Sequence, residues 1–383
     1  MKKKYIIFSL VTLVLLVALI TSFNYFKTTN AYIDDSVNNQ TKITKGISMN
    51  LEQTAGAGDY KTVTQSSWPT EGYKFNTELS RCENGSTLSW DDTKKAVIMQ
   101  GNVSDKCYVY FDIWIPSIAA YCTSGTDLAT CVKNFGDQGP SVSNIYIHNS
   151  TLTNGAGDNS YRYAGASDSV NNYICLGSDA TTCPDANLFR IIGVFGDQTK
   201  VIRAKSVGNK GWRTSADNTW SSSSLNTYLN GEYLTSLGTL ADKIATTTWK
   251  VGGNTSANIS GVVPKTAYQY EVGSSASTTT YDAKIGLMYV SDYGFAADQS
   301  GWTTKLSSYN SNTSKNWLYL GSTEWTISRN SGYTYLAFLV NSAGYVDNYN
   351  VTKSYVVRPS FNLESSVKYV SGSGSMSDPV RVN

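Results

Sequence analysis

The chain has 383 residues, enough for two or three compact units. Its formal net charge is +2, and charged residues make up 16%, below the usual ~25%. Beyond the first few residues Lys and Arg form no stripe, so nucleic acid is not an expected partner. With 27 Tyr, 9 Trp, 31 Gly and one His, the composition suits short strands, turns and hydrogen-bonding loops of an extracellular, β-rich protein.

Lys2, Lys3 and Lys4 precede an uncharged, mostly apolar run from Tyr5 to Phe26. As a helix it would span roughly 33 Å, enough for a ~30 Å hydrocarbon core. The lysines would hold residues 1–4 in the cytoplasm and send the bulk outside. The expectation is a transmembrane signal-anchor over 5–26, with a cleaved signal peptide as the rival reading. Residues 27–45 are polar and aperiodic and read as a tether. The expected location is therefore the cell membrane, as a single-pass protein. No lipobox cysteine and no Leu-Pro sorting motif is visible.

Residues 46–115 read as a small β-sandwich-like domain. "GISMNLEQTA", "YKFNTEL", "AVIMQGNV" and "CYVYFDIWI" alternate aromatic or β-branched residues between turn signals. A turn is expected at Glu83-Asn84-Gly85, with Trp90 facing inward. After Pro116 the pattern changes. "DLATCVKNFG" places Leu128, Val132 and Phe135 on one helical face. "SNIYIHNST", "SYRYAGA" and "NNYICLG" read as strands. A hairpin is expected over Gly196-Asp197 between Phe189–Phe195 and Lys200–Ala204. "SSSLNTYLNGEYLTSLGTLADKIAT" is the main helical stretch, capped by Ser222 or Ser223 and divided in two at Gly231. Gly273–Thr280 reads as a loop. "KIGLMYVSDYGFA", "NWLYLG", "EWTISRN", "YLAFLVNSAGYV", "YVVRPSFNL" and "VKYVSGSGS" read as short strands and aromatic loops.

Six cysteines allow 15 connectivities. Nearest-neighbour pairing is expected, Cys82 with Cys107, Cys122 with Cys131, and Cys175 with Cys183, because each pair lies within one motif. Outside a cell such bridges persist. Tight Cys/His spacing for zinc is absent.

The segment from about Ser150 to Asn383 resembles a large family of uncharacterised domains in surface proteins of Gram-positive bacteria. The residues that carry this are "SYRYAGASDSVNNYICLGSDATTCPDANLFRIIGVF", "SSLNTYLNGEYLTSL", "LMYVSDYGFA", "WTISR", "VRPSFNL" and "SGSGSMSDPVRV". That family is similar to the C-type-lectin-like group, which also includes formylglycine-generating enzymes. The resemblance implies a C-type-lectin-like domain over 116–383, with two short helices and a twisted antiparallel sheet. The "CENGSTLSWDDTKKAV" unit resembles the small β module that precedes such heads. The whole is then an α+β, β-rich chain.

Chemistry finds little support. His148 is the one histidine any Ser–His or Cys–His scheme would need, and it reads as a surface imidazole on a strand. Formylglycine-type oxidation uses a cysteine pair near the end of that domain, and no cysteine follows Cys183. The calcium-binding Glu-Pro-Asn and Gln-Pro-Asp motifs of lectins are absent, leaving only acidic loops at Asp158, Asp168 or Asp347. Asp292, Asp298, Glu324 and Asp347 read as solvated loop acids rather than a glycosidase pair. Arg329 and Arg358 read as ties between loops and sheet. Neither metal nor cofactor is expected.

Loop aromatics remain. Trp302, Tyr309, Tyr345, Asp347 and Tyr349 are the candidate ligand surface. The expected function is a non-catalytic, membrane-anchored extracellular binding or adhesion protein, with a glycan, peptidoglycan or envelope protein as partner. The alternative is a structural or assembly component of the envelope without a small ligand; an unrecognised enzyme comes third.

Overall fold

A computed structural model describes residues 46–383, apart from 55, 65–66, 70–71, 103 and 115. The chain divides into two compact units, one up to residue 115 and one comprising Pro116–Asn383.

The first unit contains β1 (Ile47–Glu52), β2 (Tyr60–Val63), β3 (Tyr73–Phe75), β4 (Arg81–Cys82), β5 (Thr87–Asp91), β6 (Ala96–Gln100) and β7 (Cys107–Ile113). One sheet runs β2-β1-β7-β3, with β4 also on β7, while β5 and β6 form a separate hairpin. Alternation decides the packing, since every second residue of a strand faces the same side. Met49, Leu51, Val109 and Phe111 point into a core that the hairpin closes with Ala96, Val97 and the half-buried Trp90. Trp90 meets Phe111 edge-on at 5.6 Å. The Cys82–Cys107 bridge joins β4 to β7.

The first α-helix of the second unit is Leu128–Gly136, which buries Leu128, Val132 and Phe135 as the spacing predicts. Its strands are β8 (Ile145–Ile147), β9 (Tyr161–Tyr163), β10 (Tyr173–Cys175), β11 (Leu188–Phe195), β12 (Gln198–Arg203), β13 (Asn209–Gly211), β14 (Thr247–Lys250) and β15 (Thr280–Ala283). They continue with β16 (Glu324–Arg329), β17 (Leu336–Val340), β18 (Val346–Asn350), β19 (Ser354–Val356), β20 (Ser360–Asn362), β21 (Tyr369–Ser371) and β22 (Val380–Val382). Eight of these form one sheet along β20-β12-β11-β10-β22-β21, with β9 on β11 and β8 on β9. Five form a second sheet in the order β13-β19-β16-β17-β18.

The hairpin β11–β12 turns over Gly196-Asp197 with Phe195 opposite Gln198. Gly196 takes φ 65°, a left-handed conformation that glycine adopts at little cost. Lys133, in the last turn of the first helix, donates to the Gly196 carbonyl at 2.7 Å. Gly193 stands at a register shift in β11 where a Cβ would lie 2.2 Å from the Tyr161 carbonyl oxygen. That close approach lets β9 join the same strand.

Several expectations are corrected. The transmembrane helix, and the single-pass membrane location built on it, do not carry over. Among the described residues no helix is long and apolar enough to cross a membrane, and residues 1–45, with the 5–26 run and the 27–45 tether, lie outside the described residues. The β-rich α+β class holds, but the second unit has two main sheets rather than one twisted antiparallel sheet. Both are mixed, because β10 and β22 pair in parallel, as do β16 and β19. It also holds more than two helices. Val290–Phe295 is helical where a strand or aromatic loop is expected, and Pro264–Glu271 is a further helix. Gly231 does not divide the main helix. It sits in a π-helical turn, Leu229–Tyr233, between Ser224–Tyr228 and Leu234–Ser236. Ser223 caps the start, its hydroxyl accepting from the Asn226 N–H. The "NWLYLG" segment carries no strand.

All six cysteines are bridged in the expected pairs, so none of the chain's thiols is free.

Candidate functional site

The five-stranded sheet ends on β18, and its register gathers aromatic residues on one face. Ala337 stands opposite Tyr349, and Leu339 opposite both Asp347 and Trp325. Directly opposed residues project to the same side, so Trp325, Leu339, Ala337, Asp347 and Tyr349 share a face. Trp325 is wholly buried and donates its indole N–H to the Lys210 carbonyl. Tyr355 of β19 covers it at 5.2 Å, and Tyr349 meets Tyr355 at 6.0 Å with rings at 85°. The three rings therefore climb from core to solvent, and Tyr349 is 40% exposed.

Polar groups flank these rings. Lys210 of β13 pairs with Tyr355 across the sheet, and its ammonium lies 3.7 Å from the centre of the Tyr228 ring. Asp347 is half-buried and accepts the Asn348 N–H at 2.8 Å. Tyr345 is half-buried in the turn leading into β18, where its carbonyl accepts from Asn341. Just before β17, Tyr333 and Tyr335 are 57% and 42% exposed with ring centres 6.0 Å apart. The Tyr335 carbonyl accepts from Val351, the residue after β18. A buried amide fixes this corner, since Asn218 donates to the carbonyls of Asn330, Tyr333 and Leu336.

Two of the five expected surface residues belong to the interior. Trp302 is buried against Phe295, Ala156 and Ala164, with its N–H on the Ala297 carbonyl. Tyr309 is buried with its hydroxyl on the Gly294 carbonyl. Both lie in 3-10 turns that fold back over the helix Val290–Phe295, which the polarity of the surrounding loop concealed. Tyr345, Asp347 and Tyr349 lie on or beside β18. Tyr333, Tyr335 and Tyr355 lie outside the expected surface set. The alternation of Tyr333 and Tyr335 after the Asn330-Ser331-Gly332 turn was the available signal.

Several acids and cations of the interior are committed to one another. Arg358 donates twice to Glu324, both at 2.7 Å, and once to the Leu318 carbonyl. Burial pushes Glu324 up and Arg358 opposes it. Asp292 and Glu324 are thus buried partners of cations, not solvated loop acids. Asp298 caps the turn 299–303. Arg329 ties β16 to the Gly252 carbonyl and to Asn218. Glu271 accepts the N–H groups of Val290 and Ser291 and the Ser328 hydroxyl, and burial raises its pKa.

His148 is likewise not at the surface. It is fully buried between Phe295, 4.7 Å away edge-on, and Trp302 at 5.0 Å. Nδ1 accepts the Ala156 N–H at 3.0 Å, and Nε2 has no partner. Burial, with Arg162 in support, lowers its pKa to about 2. Asp158 serves as partner to Arg162 and Ser160. Among the described residues no group of three or more His, Cys, Asp or Glu gathers as a metal site.

Two clefts open elsewhere on this unit. One, of about 610 Å³, is bounded by the Gly177–Thr181 loop, Leu240, Lys243 and Arg381. Arg381 already donates to the Ser178 and Thr181 carbonyls. The other, of about 370 Å³, lies beside Tyr146, Pro140 and Leu152.

Residues 196–365 match a family model described as a domain of unknown function, DUF6273. The matched stretch includes the whole five-stranded sheet and the tyrosines on it. No curated protein and no solved structure matches the chain.

Proposed function

We propose that Pro116–Asn383 is an extracellular, non-catalytic binding module whose tyrosine-bearing sheet face holds a glycan. The observation that carries this reading is the Trp325–Tyr355–Tyr349 succession, which places an exposed ring on a strand backed by a buried core. Flat aromatic faces suit the C–H faces of sugar rings, and a few placed polar groups set orientation. Asp347, on the same face as Tyr349, and Lys210, paired across the sheet with Tyr355, supply such groups near the rings. Because sheet residues hold the platform, little ordering cost falls on binding. Three disulfides support an oxidising, extracellular setting. The resemblance of the second half to C-type-lectin-like surface domains agrees with a binding role. The pairing of Asp292 and Glu324 with buried cations supports a module that turns over no substrate.

A glycan array probed with the full chain tests the reading, repeated with Tyr349→Ala and Tyr335→Ala. Binding that falls at least tenfold in Tyr349→Ala, with unchanged thermal unfolding, is the expected result. Retention of envelope proteins with no glycan signal would move the assignment to an assembly component of the envelope.

A further inference from the structure

Lys200 lies on β12 inside the eight-stranded sheet, and Asp292 is the third residue of the helix Val290–Phe295. Their Nζ and Oδ2 atoms are 2.5 Å apart, with side chains only 6% and 3% exposed. We propose that these two side chains condense into an intramolecular amide cross-link with loss of one water.

Proximity alone does not single them out. Lys205–Asp185 and Lys368–Asp127 also stand at 2.5 Å. Those pairs are open to solvent, where both groups stay hydrated and charged. Lys200 is enclosed by the rings of Tyr289, Trp249 and Phe195, centred 4.8, 5.5 and 5.6 Å from Nζ. A dry, aromatic enclosure disfavours the ammonium and favours the nucleophilic amine.

The carboxyl is also prepared. Oδ2 accepts the Tyr289 N–H at 2.8 Å, and Oδ1 faces a guanidinium nitrogen of Arg162 at 3.5 Å. Donors already aimed at a carboxyl oxygen stabilise the negative charge that develops when its carbon is attacked. A proton passes from the Lys200 ammonium to the Asp292 carboxylate. Nζ then bonds to Cγ, giving a tetrahedral centre whose anionic oxygen, Oδ1, faces Arg162, while the protonated Oδ2 becomes the departing oxygen. A second proton moves from nitrogen to the departing oxygen, the Cγ–O bond breaks, and water leaves. The ammonium's three protons end as one amide N–H and two on water, and no oxidant or reductant takes part.

Charge balance survives the step. One cation and one anion disappear together, and Arg162 keeps Asp158 at 2.7 Å. The remaining amide oxygen, Oδ1, still faces the Arg162 guanidinium.

Tryptic mapping of the fully reduced, full-length chain decides the matter by mass spectrometry. The expected product is a branched peptide joining residues 191–203 to 285–305, one water lighter than the two strands together, with no cleavage at Lys200. In Lys200→Arg, cleavage at position 200 returns and 285–305 is recovered alone. Lys205–Asp185 and Lys368–Asp127 serve as internal controls and stay unlinked. Recovery of linear 191–200 and 285–305 at full yield from the wild-type chain would overturn the proposal, whether or not the variant folds.

Discussion

His148 makes the stability of the second unit depend on pH through one side chain. In the unfolded chain an imidazole titrates near its ordinary value of about 6.5. Folded, it is held at about 2 because burial between Phe295 and Trp302 excludes the charged form. Arg162 acts in the same direction and Asp158 against it. The sign follows from proton counts. Between these two values the unfolded chain binds a proton that the folded protein refuses, so stability falls as pH falls. The contribution is fully present above pH 6.5 and drains away below it. Between about pH 6.5 and about pH 4.5 the loss is about 2 kcal/mol, from 1.36 kcal/mol per unit of displacement. His148→Asn removes the titration while keeping an acceptor for the Ala156 N–H. The variant loses some packing at every pH, and its stability curve is flatter than that of the wild type over this interval by about 2 kcal/mol. Urea titrations read by hydrogen–deuterium exchange of peptides covering 145–163 isolate this region from the 46–115 unit. Parallel curves for the two proteins, or an NMR titration of the folded imidazole near 6.5, would refute the reasoning.

The buried pair Glu324–Arg358 gives a second test. Arg358→Met leaves the carboxylate buried without its two charge-assisted bonds and costs about 3–5 kcal/mol. Replacing both partners with apolar residues recovers most of that, as thermal unfolding measures, and a double variant as unstable as the single one contradicts the assignment. The Cys175–Cys183 bridge closes a loop with a sequence separation of 8. Its removal by Cys175→Ser with Cys183→Ser destabilises by about 2–3 kcal/mol on loop-closure entropy. Unchanged urea midpoints for that variant would locate the stabilisation elsewhere. Tyr349→Ala, in contrast, changes stability by less than about 0.5 kcal/mol because the ring is substantially exposed.

Local signals in the sequence carried as far as local physics reaches. Leu128, Val132 and Phe135 repeat at helical spacing, and the helix lies there. Gly196-Asp197 between apolar runs marks a hairpin because the turn needs a left-handed residue. Nearest-neighbour cysteines are bridged because each bridge closes a motif folded on itself. What failed depended on distant partners. His148 reads as a surface residue beside Tyr146, yet Trp302 and Phe295, more than a hundred residues later, close over it. Asp292 reads as a loop acid because nothing local announces Lys200 and Arg162. Tyr309 and Tyr349 stand in equally polar stretches. One is buried by a 3-10 turn and the other left on an edge strand, and only strand order separates them.

One strand joins the buried charges to the exposed rings. β16 carries Glu324 into its pair with Arg358 and Ser328 into the Glu271 carboxylate. Between them Trp325 faces the other side and supports Tyr355 and, through it, Tyr349. The carboxylates and the tyrosine face are therefore not independent features. Glu271 also holds the start of the helix Val290–Phe295 through the N–H groups of Val290 and Ser291. A shift of that helix start would be felt at Ser328 and so along β16. Buried pairs of this kind add little net stability over an apolar core. Here they fix the register of a central strand, because a slip by one residue would turn Glu324 and Ser328 away from their partners and bury the platform's supporting side. A sheet pinned in this way can leave tyrosines exposed on its face without surrendering its order.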